Sequence, residues 1–204
     1  MLKTYQYQGK TEEEVFEQSL KELTVKKEDC LYQITMEQSK LFKTKKYQLT
    51  VLLKKDVVAF IKDYFETLSN NMNVEITPTI TSEENNFHID LNTSANHVLI
   101  GKEGKNLHAL LTLLRQALRV VNDFDVHVSL DIADYRKKQL EEMEKEVKKI
   151  AEEVLESGIE ASLDPMNSYE RRHIHSIVAT IPGLATKSVG EGRERHIVIQ
   201  KENM

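Results

Sequence analysis

The sequence is short of cysteine, of long apolar runs and of net positive charge, and each shortage removes a class of function. Cys30 stands alone, so no internal disulfide can form and no cysteine-based metal site exists. No apolar stretch is long enough to span a bilayer, and Met1-Leu2-Lys3-Thr4 opens without a signal-peptide core, so the expected location is the cytoplasm. The formal net charge is −5 over 204 residues, which argues against binding nucleic acid by bulk electrostatics. Residues 1–54 carry +2, residues 55–131 carry −5 and residues 132–204 carry −2. Any binding of an anion in the central section must be local and shape-driven.

What is present is a soluble globular composition, 40% hydrophobic and 30% charged, in a length that holds one medium domain or two to three small ones. The most informative stretch is Leu99-Ile100-Gly101-Lys102-Glu103-Gly104-Lys105-Asn106-Leu107. Without a Cβ, the two glycines let the backbone bend sharply and come close to another molecule. A helical pattern follows to about Val121, so the loop delivers the positive end of a helix, suited to a phosphate, beside Lys102 and Lys105. Leu107, Leu110, Leu111, Leu114, Ala117, Leu118 and Val121 form the core face of that helix. His108, Thr112, Arg115 and Arg119 form a modestly basic second stripe. Taken alone, such a loop also describes a plain corner between two helices. It is not a nucleotide-binding P-loop, because Lys105-Asn106 stands where Lys-Ser/Thr is required.

Taken in order, residues 2–8 alternate as a strand, and Thr11 caps a helix whose first turn holds Glu12, Glu13 and Glu14. Val15, Phe16, Leu20 and Leu23 make its apolar face. Strands over Cys30 to Met36 and Tyr47 to Leu53 complete a βαββ head over residues 1–54. Between them, Lys40, Lys43, Lys45 and Lys46 read as a solvated turn or, as the alternative, a patch for an anionic partner, and Leu41-Phe42 as a surface that docks onto something. Residues 55–132 then read αββααβ: a helix from about Lys55, strands at Val74 to Ile80 and Phe87 to Leu91 around a turn at residues 81–86, a short helix capped by Thr93 or Ser94, the glycine loop, its long helix, and a strand from Asp125 to Ile132.

The glycine loop in this element order resembles the signature of a type II KH domain. That resemblance implies a clamp for about four nucleotides of single-stranded RNA or DNA, with Gly101, Lys102, Glu103, Gly104 and Lys105 at the backbone and Arg115 and Arg119 behind them.

Residues 133–204 open with a helix from about Ala133 to Ser157, supported by the pairs Glu141–Lys145 and Glu144–Lys148. A strand is expected around Ile159 to Leu163, then a helix capped by Asn167 or Ser168, and a hairpin over Leu184 to Ile199. In that helix Arg171 and His175, four apart, share one face and could hold a phosphate between a guanidinium fork and an imidazole. The run from Pro165 to His175 together with Gly190-Glu191-Gly192-Arg193-Glu194-Arg195-His196 closely resembles the Arg-xxx-His (R-three-H) domain, a single-stranded nucleic-acid binder. Arg172, Arg193 and Arg195 are its secondary candidates.

A βαββ head, a KH domain and an Arg-xxx-His domain in series resemble the bacterial Jag family, also called KhpB or EloR, over essentially the whole chain. The fold class is then α+β in three small domains. The resemblance implies a non-catalytic RNA-binding protein acting in post-transcriptional regulation and in the control of cell elongation and division. It also implies a small single-KH protein as partner. A homo-oligomer is a separate expectation, with the oligomeric state left open, and contact with the membrane is expected only through partners. Two departures stand out. Ser39-Lys40-Leu41-Phe42-Lys43-Thr44 lacks both glycines of the family's head motif, and Leu53-Lys54-Lys55-Asp56 leaves almost no linker, so the head is expected at a fixed angle to the KH domain. No metal or other cofactor is implied. An enzyme built on His173, His175 and His196 finds little support: no Asp/Glu set is clustered for magnesium, and His173 and His175 point to different sides of a helix. A protein-protein adaptor using the same folds is the alternative reading.

Overall fold

The computed structural model describes residues 1–38 and 45–202. The Leu41-Phe42 docking surface and Lys40 and Lys43 lie outside the described residues. The chain divides into two compact units, residues 1–133 and 134–204.

The first unit begins with strand β1 (Thr4–Gly9), helix α1 (Glu12–Leu23), and strands β2 (Cys30–Gln38) and β3 (Lys45–Leu53). Helix α1 starts where its capping chemistry allows: the Thr11 hydroxyl accepts from the Glu14 N–H at 3.2 Å, and the three glutamates occupy the first turn. The antiparallel sheet, in the order β1-β3-β2, meets α1 with one face, where Val15 packs with Tyr7, Cys30, Leu49, Val51 and Leu53. Burial, foremost, pushes the Cys30 thiol up from its ordinary pKa. The alternate residues Leu31 and Leu52 are also buried, so both faces of this small sheet are covered. Gln33, on the second face, donates to the Asp123 carbonyl at 3.1 Å, and the Leu2 N–H donates to the Val121 carbonyl at 2.8 Å.

No residue separates β3 from helix α2 (Lys54–Met72), for which Leu53 is the N-cap. Val57, Ile61 and Phe65 recur at helical spacing and are fully buried. Strands β4 (Ile76–Glu83) and β5 (Asn86–Thr93) follow, then α3 (Asn96–Ile100), α4 (Lys105–Val121) and β6 (His127–Ile132). The sheet order is β4-β5-β6. β4 and β5 pair antiparallel, whereas β5 and β6 are parallel. Parallel neighbours need a crossover, and α3, the glycine loop and α4 supply it. Phe87, Ile89 and Leu91 point into the core and His88, Asp90 and Asn92 out of it.

The second unit comprises α5 (Tyr135–Ser157), β7 (Ala161–Ser162), α6 (Ser168–Val178), β8 (Leu184–Val189) and β9 (His196–Lys201). Its sheet, ordered β7-β9-β8, closes on the helices over Val147, Ala151, Val154, Ile174, Ile177, Leu184, Ile197 and Ile199.

The α+β class and the βαββ and αββααβ orders are those read from the sequence. Several local features differ. Lys45 and Lys46, expected in a solvated turn, instead begin β3, because the β2–β3 ladder continues to the pairs Glu37–Lys46 and Gln38–Lys45. The turn expected over residues 81–86 shrinks to Glu84 and Asn85, with Glu84 left-handed (φ 50°), because the β4–β5 ladder continues to Glu83 and Asn86. Helix α3 starts after Ala95, and Thr93 caps only the Ala95 N–H, at 3.1 Å. Helix α5 begins two residues later than the pattern suggests, since Ala133 (φ 52°) and Asp134 (φ 56°) are both left-handed. The expected five-residue strand after α5 reduces to the two residues of β7, with Ile159 72% exposed. Of the two ion pairs expected on α5, Glu144–Lys148 forms at 2.6 Å; Glu141 and Lys145 do not pair among the described residues.

Candidate nucleic-acid interface

The glycine loop takes a shape that few residues besides glycine tolerate. Gly101 sits at φ 70° and ψ −179°, a region nearly exclusive to glycine. Gly104 is left-handed at φ 73°. Between them the chain makes one tight turn, with the Gly104 N–H donating to the Gly101 carbonyl at 3.3 Å. The space beside Gly101 is already filled: a Cβ there would lie 2.6 Å from the Asn106 side-chain carbon. Asn106 in turn donates to the Val98 carbonyl at 2.7 Å. The sequence reading gives Gly101 to an approaching ligand, whereas in the fold the residue that approaches it is Asn106.

No side chain caps α4 at Gly104. A free helix N-terminus flanked by Lys102 and Lys105 is a seat for an anionic group. Glu103, expected among the binding residues, pairs with both lysines of the loop. It is itself left-handed (φ 55°), and its carboxylate meets Lys105 at 2.9 Å and Lys102 at 3.9 Å. The hydrogen bond from Lys105, and then the two lysine charges, hold this carboxyl below the usual range for glutamate. The pair therefore persists at neutral pH and is lost only as pH falls through that lowered value. Glu103 is the loop's internal counter-ion.

The second stripe of α4 also divides. Arg115 turns to the sheet and donates to the Val128 carbonyl of β6 at 2.9 Å. Arg119 is exposed and makes no side-chain bond among the described residues. Arg115 stands ten residues beyond Lys105 on α4, about 15 Å along the axis. The fold thus keeps both arginines apart from the glycine loop.

In the second unit the structure gathers what the sequence left scattered. Asn167 caps α6, accepting from the Tyr169 N–H at 2.9 Å and the Glu170 N–H at 3.1 Å, while Glu170 reaches back to the Asn167 N–H at 3.0 Å. This reciprocal cap starts the helix so that Arg171 and His175 fall one turn apart on one side. Arg171 Nη1 donates to the Met166 carbonyl at 2.7 Å, and the Met166 N–H donates to the Arg195 carbonyl at 3.2 Å. Arg195 Nε donates to Ser188 Oγ at 2.9 Å, and His175 Nδ1 shares a hydrogen bond with Thr186 Oγ1. Thr186 and Ser188 are two apart on β8 and so face the same way. Arg171, His175 and Arg195 are thereby brought together through Met166, Thr186 and Ser188. Arg172 and Arg193 are exposed and make no side-chain ion pair among the described residues.

Met166, Thr186 and Ser188 escaped the sequence reading. The one available signal was alternation along β8, which places two hydroxyl side chains on the core side where apolar residues are the rule. Among the described residues no three His, Cys, Asp or Glu side chains gather as metal ligands, and no helix is long and apolar enough to cross a membrane.

Residues 58–132 match the family described as KhpA/KhpB, KH domain, and residues 138–201 match the Arg-xxx-His (R-three-H) domain family. A Clostridium symbiosum protein named RNA-binding protein KhpB is 31% identical over 153 residues, covering 74% of this chain and 68% of its own. A Bacillus subtilis protein of the same name is 29% identical over 200 residues, with 94% and 95% covered. A Streptococcus pneumoniae protein of that name is 28% identical over 146 residues, 72% of this chain and 44% of its own, so the chain spans under half that relative's length.

Proposed function

The chain belongs to the KhpB family, and from that membership we propose that it binds single-stranded RNA at two points, the glycine loop and the α6–β8 basic cluster. The observation that carries the reading is the convergence of Arg171 and His175 of α6 with Arg195 ahead of β9, three cationic or proton-sharing groups, around backbone and hydroxyl anchors. Such pre-positioned donors suit phosphates and the 2′-OH. The relatives named above are RNA-binding proteins by name.

The reading treats the protein as a binder and not a catalyst, located in the cytoplasm, with residues 1–54, 55–132 and 133–204 as head, KH and Arg-xxx-His domains. The proposal extends to a role in cell elongation and division, which the family resemblance implies. One observation favours a protein partner as well: Leu113 and Val120, seven residues apart on α4, are 58% and 77% exposed. Two large apolar side chains on one helical stripe fit a small single-KH protein, or a second copy, docked there.

The direct test is fluorescence anisotropy of the full chain with a short single-stranded RNA and the matched DNA at two salt concentrations. Affinity is expected to fall steeply with salt. The double variants Lys102→Ala/Lys105→Ala and Arg171→Ala/Arg195→Ala should each weaken binding by at least about tenfold and flatten the salt slope by roughly one to two. Equal binding by all three proteins would reject both sites.

Glu103 adds a change of opposite sign. Glu103→Asn keeps a residue that tolerates the left-handed backbone and releases both lysines. RNA should then bind about three- to tenfold more tightly at low salt, with the gain shrinking as salt rises. Weaker binding would mean that the carboxylate contacts the nucleic acid itself.

A further inference from the structure

The second unit carries a cleft of about 520 Å³ that the RNA reading does not use. Its floor is apolar, built from Met143 and Ile150 of α5 and Leu163 and Met166 ahead of α6, all half-buried. Its rim is acidic, with Glu142 and Glu146 one turn apart on α5 and Asp164 from the segment ahead of α6. None of these three carboxylates makes an ion pair or side-chain hydrogen bond among the described residues. Glu170, the fourth carboxylate, is held in the α6 cap. No lysine or arginine lines the cleft.

We propose that this cleft docks a short basic and apolar segment of a protein partner, with a large apolar side chain on the floor and Lys or Arg against Glu142, Glu146 and Asp164. Charge decides the kind of occupant. Three unpaired carboxylates repel a phosphate backbone, so RNA is the wrong ligand here, and the same carboxylates attract a cationic chain. The apolar floor decides the rest, because a cation without an apolar group leaves Met143, Ile150 and Leu163 wet. Met166 ties the cleft to the neighbouring basic cluster: it lines the cleft, while its carbonyl holds Arg171. A docked segment therefore lies beside the RNA site without occupying it, and RNA and peptide are accommodated together.

The test uses the full chain and a fluorescein-labelled ten-residue peptide in which Leu and Phe are flanked by lysines. Two control peptides replace the lysines by glutamate or the Leu and Phe by serine. The basic apolar peptide is expected to bind and both controls to fail. Glu142→Gln/Glu146→Gln/Asp164→Asn, three exposed and isosteric changes, should weaken that binding about tenfold. With methyl-labelled methionine, the peptide should shift the Met143 and Met166 signals and leave those of Met1, Met36 and Met72 in place. No binding, equal binding by the carboxylate variant, or unmoved Met143 and Met166 signals would each overturn the proposal.

Discussion

Arg171→Ala is expected to weaken single-stranded RNA binding by roughly ten- to a hundredfold, because a charge-assisted hydrogen bond of this kind is worth about 1.5–3 kcal/mol and the charge itself is lost with it. The guanidinium has two duties. Its Nη1 closes on the Met166 carbonyl at 2.7 Å in a part-buried position, and its remaining N–H groups are available to a phosphate. Deleting it leaves that carbonyl without its donor. It also loosens the segment whose next link, the Met166 N–H to the Arg195 carbonyl at 3.2 Å, positions the second arginine. Arg171→Lys keeps the charge but not the planar fork, so it should recover only a minor part of the affinity. Anisotropy at fixed salt, repeated over a salt series, separates the two duties: losing a phosphate contact flattens the slope by about one, whereas a purely structural loss does not. Native-like affinity in Arg171→Ala would remove α6 from the interface.

Gly101→Ala is the second large effect, and it falls on stability. At φ 70° and ψ −179° an alanine is strained wherever it has room, and here it has none, because its Cβ would lie 2.6 Å from Asn106 Cγ and 2.8 Å from Nδ2. Relief requires Asn106 to leave the Val98 carbonyl, which undoes the link between α3 and the first turn of α4. The expected loss is about 2–4 kcal/mol, combining backbone strain with a broken hydrogen bond. Gly192→Ala is the matching control. Gly192 is also at positive φ (54°) but nothing lies within 4 Å of its Cβ position, so only the left-handed penalty of about 1–2 kcal/mol applies. Chemical denaturation of both variants checks this. A Gly101→Ala loss no larger than that of Gly192→Ala would show that Asn106 yields without resistance. The RNA affinity of the glycine loop should fall with its order, since the seat at the α4 N-terminus depends on it.

Reading the sequence worked where the signal was local. Thr11 and Asn167 were legible as caps because a cap and its N–H partners are two or three residues apart. The faces of α1 and α4 were legible because apolar residues repeat at helical spacing. That Arg171 and His175 share one face of a helix was legible from a separation of four. Glu103 marks the edge of this kind of inference. Its neighbours Lys102 and Lys105 are plain in the chain, yet only the left-handed turn at Glu103 shows that its carboxylate faces them both. Ala133 and Asp134 lie beyond that edge, since neither residue type announces two successive left-handed conformations.

Element order, core faces, the glycine loop and the arginine-histidine face were thus determined by the sequence alone, since each depends on residues a few positions apart and on fixed helix and strand periods. Which polar groups already have protein partners was decided only by tertiary structure. Arg115 meets Val128, His175 meets Thr186 and Arg195 meets Ser188 across elements that approach one another only when strand register and helix packing are set. A side chain's partner in three dimensions is a non-local property, and so the same arginines that look equivalent in the chain divide into anchored and free ones in the fold.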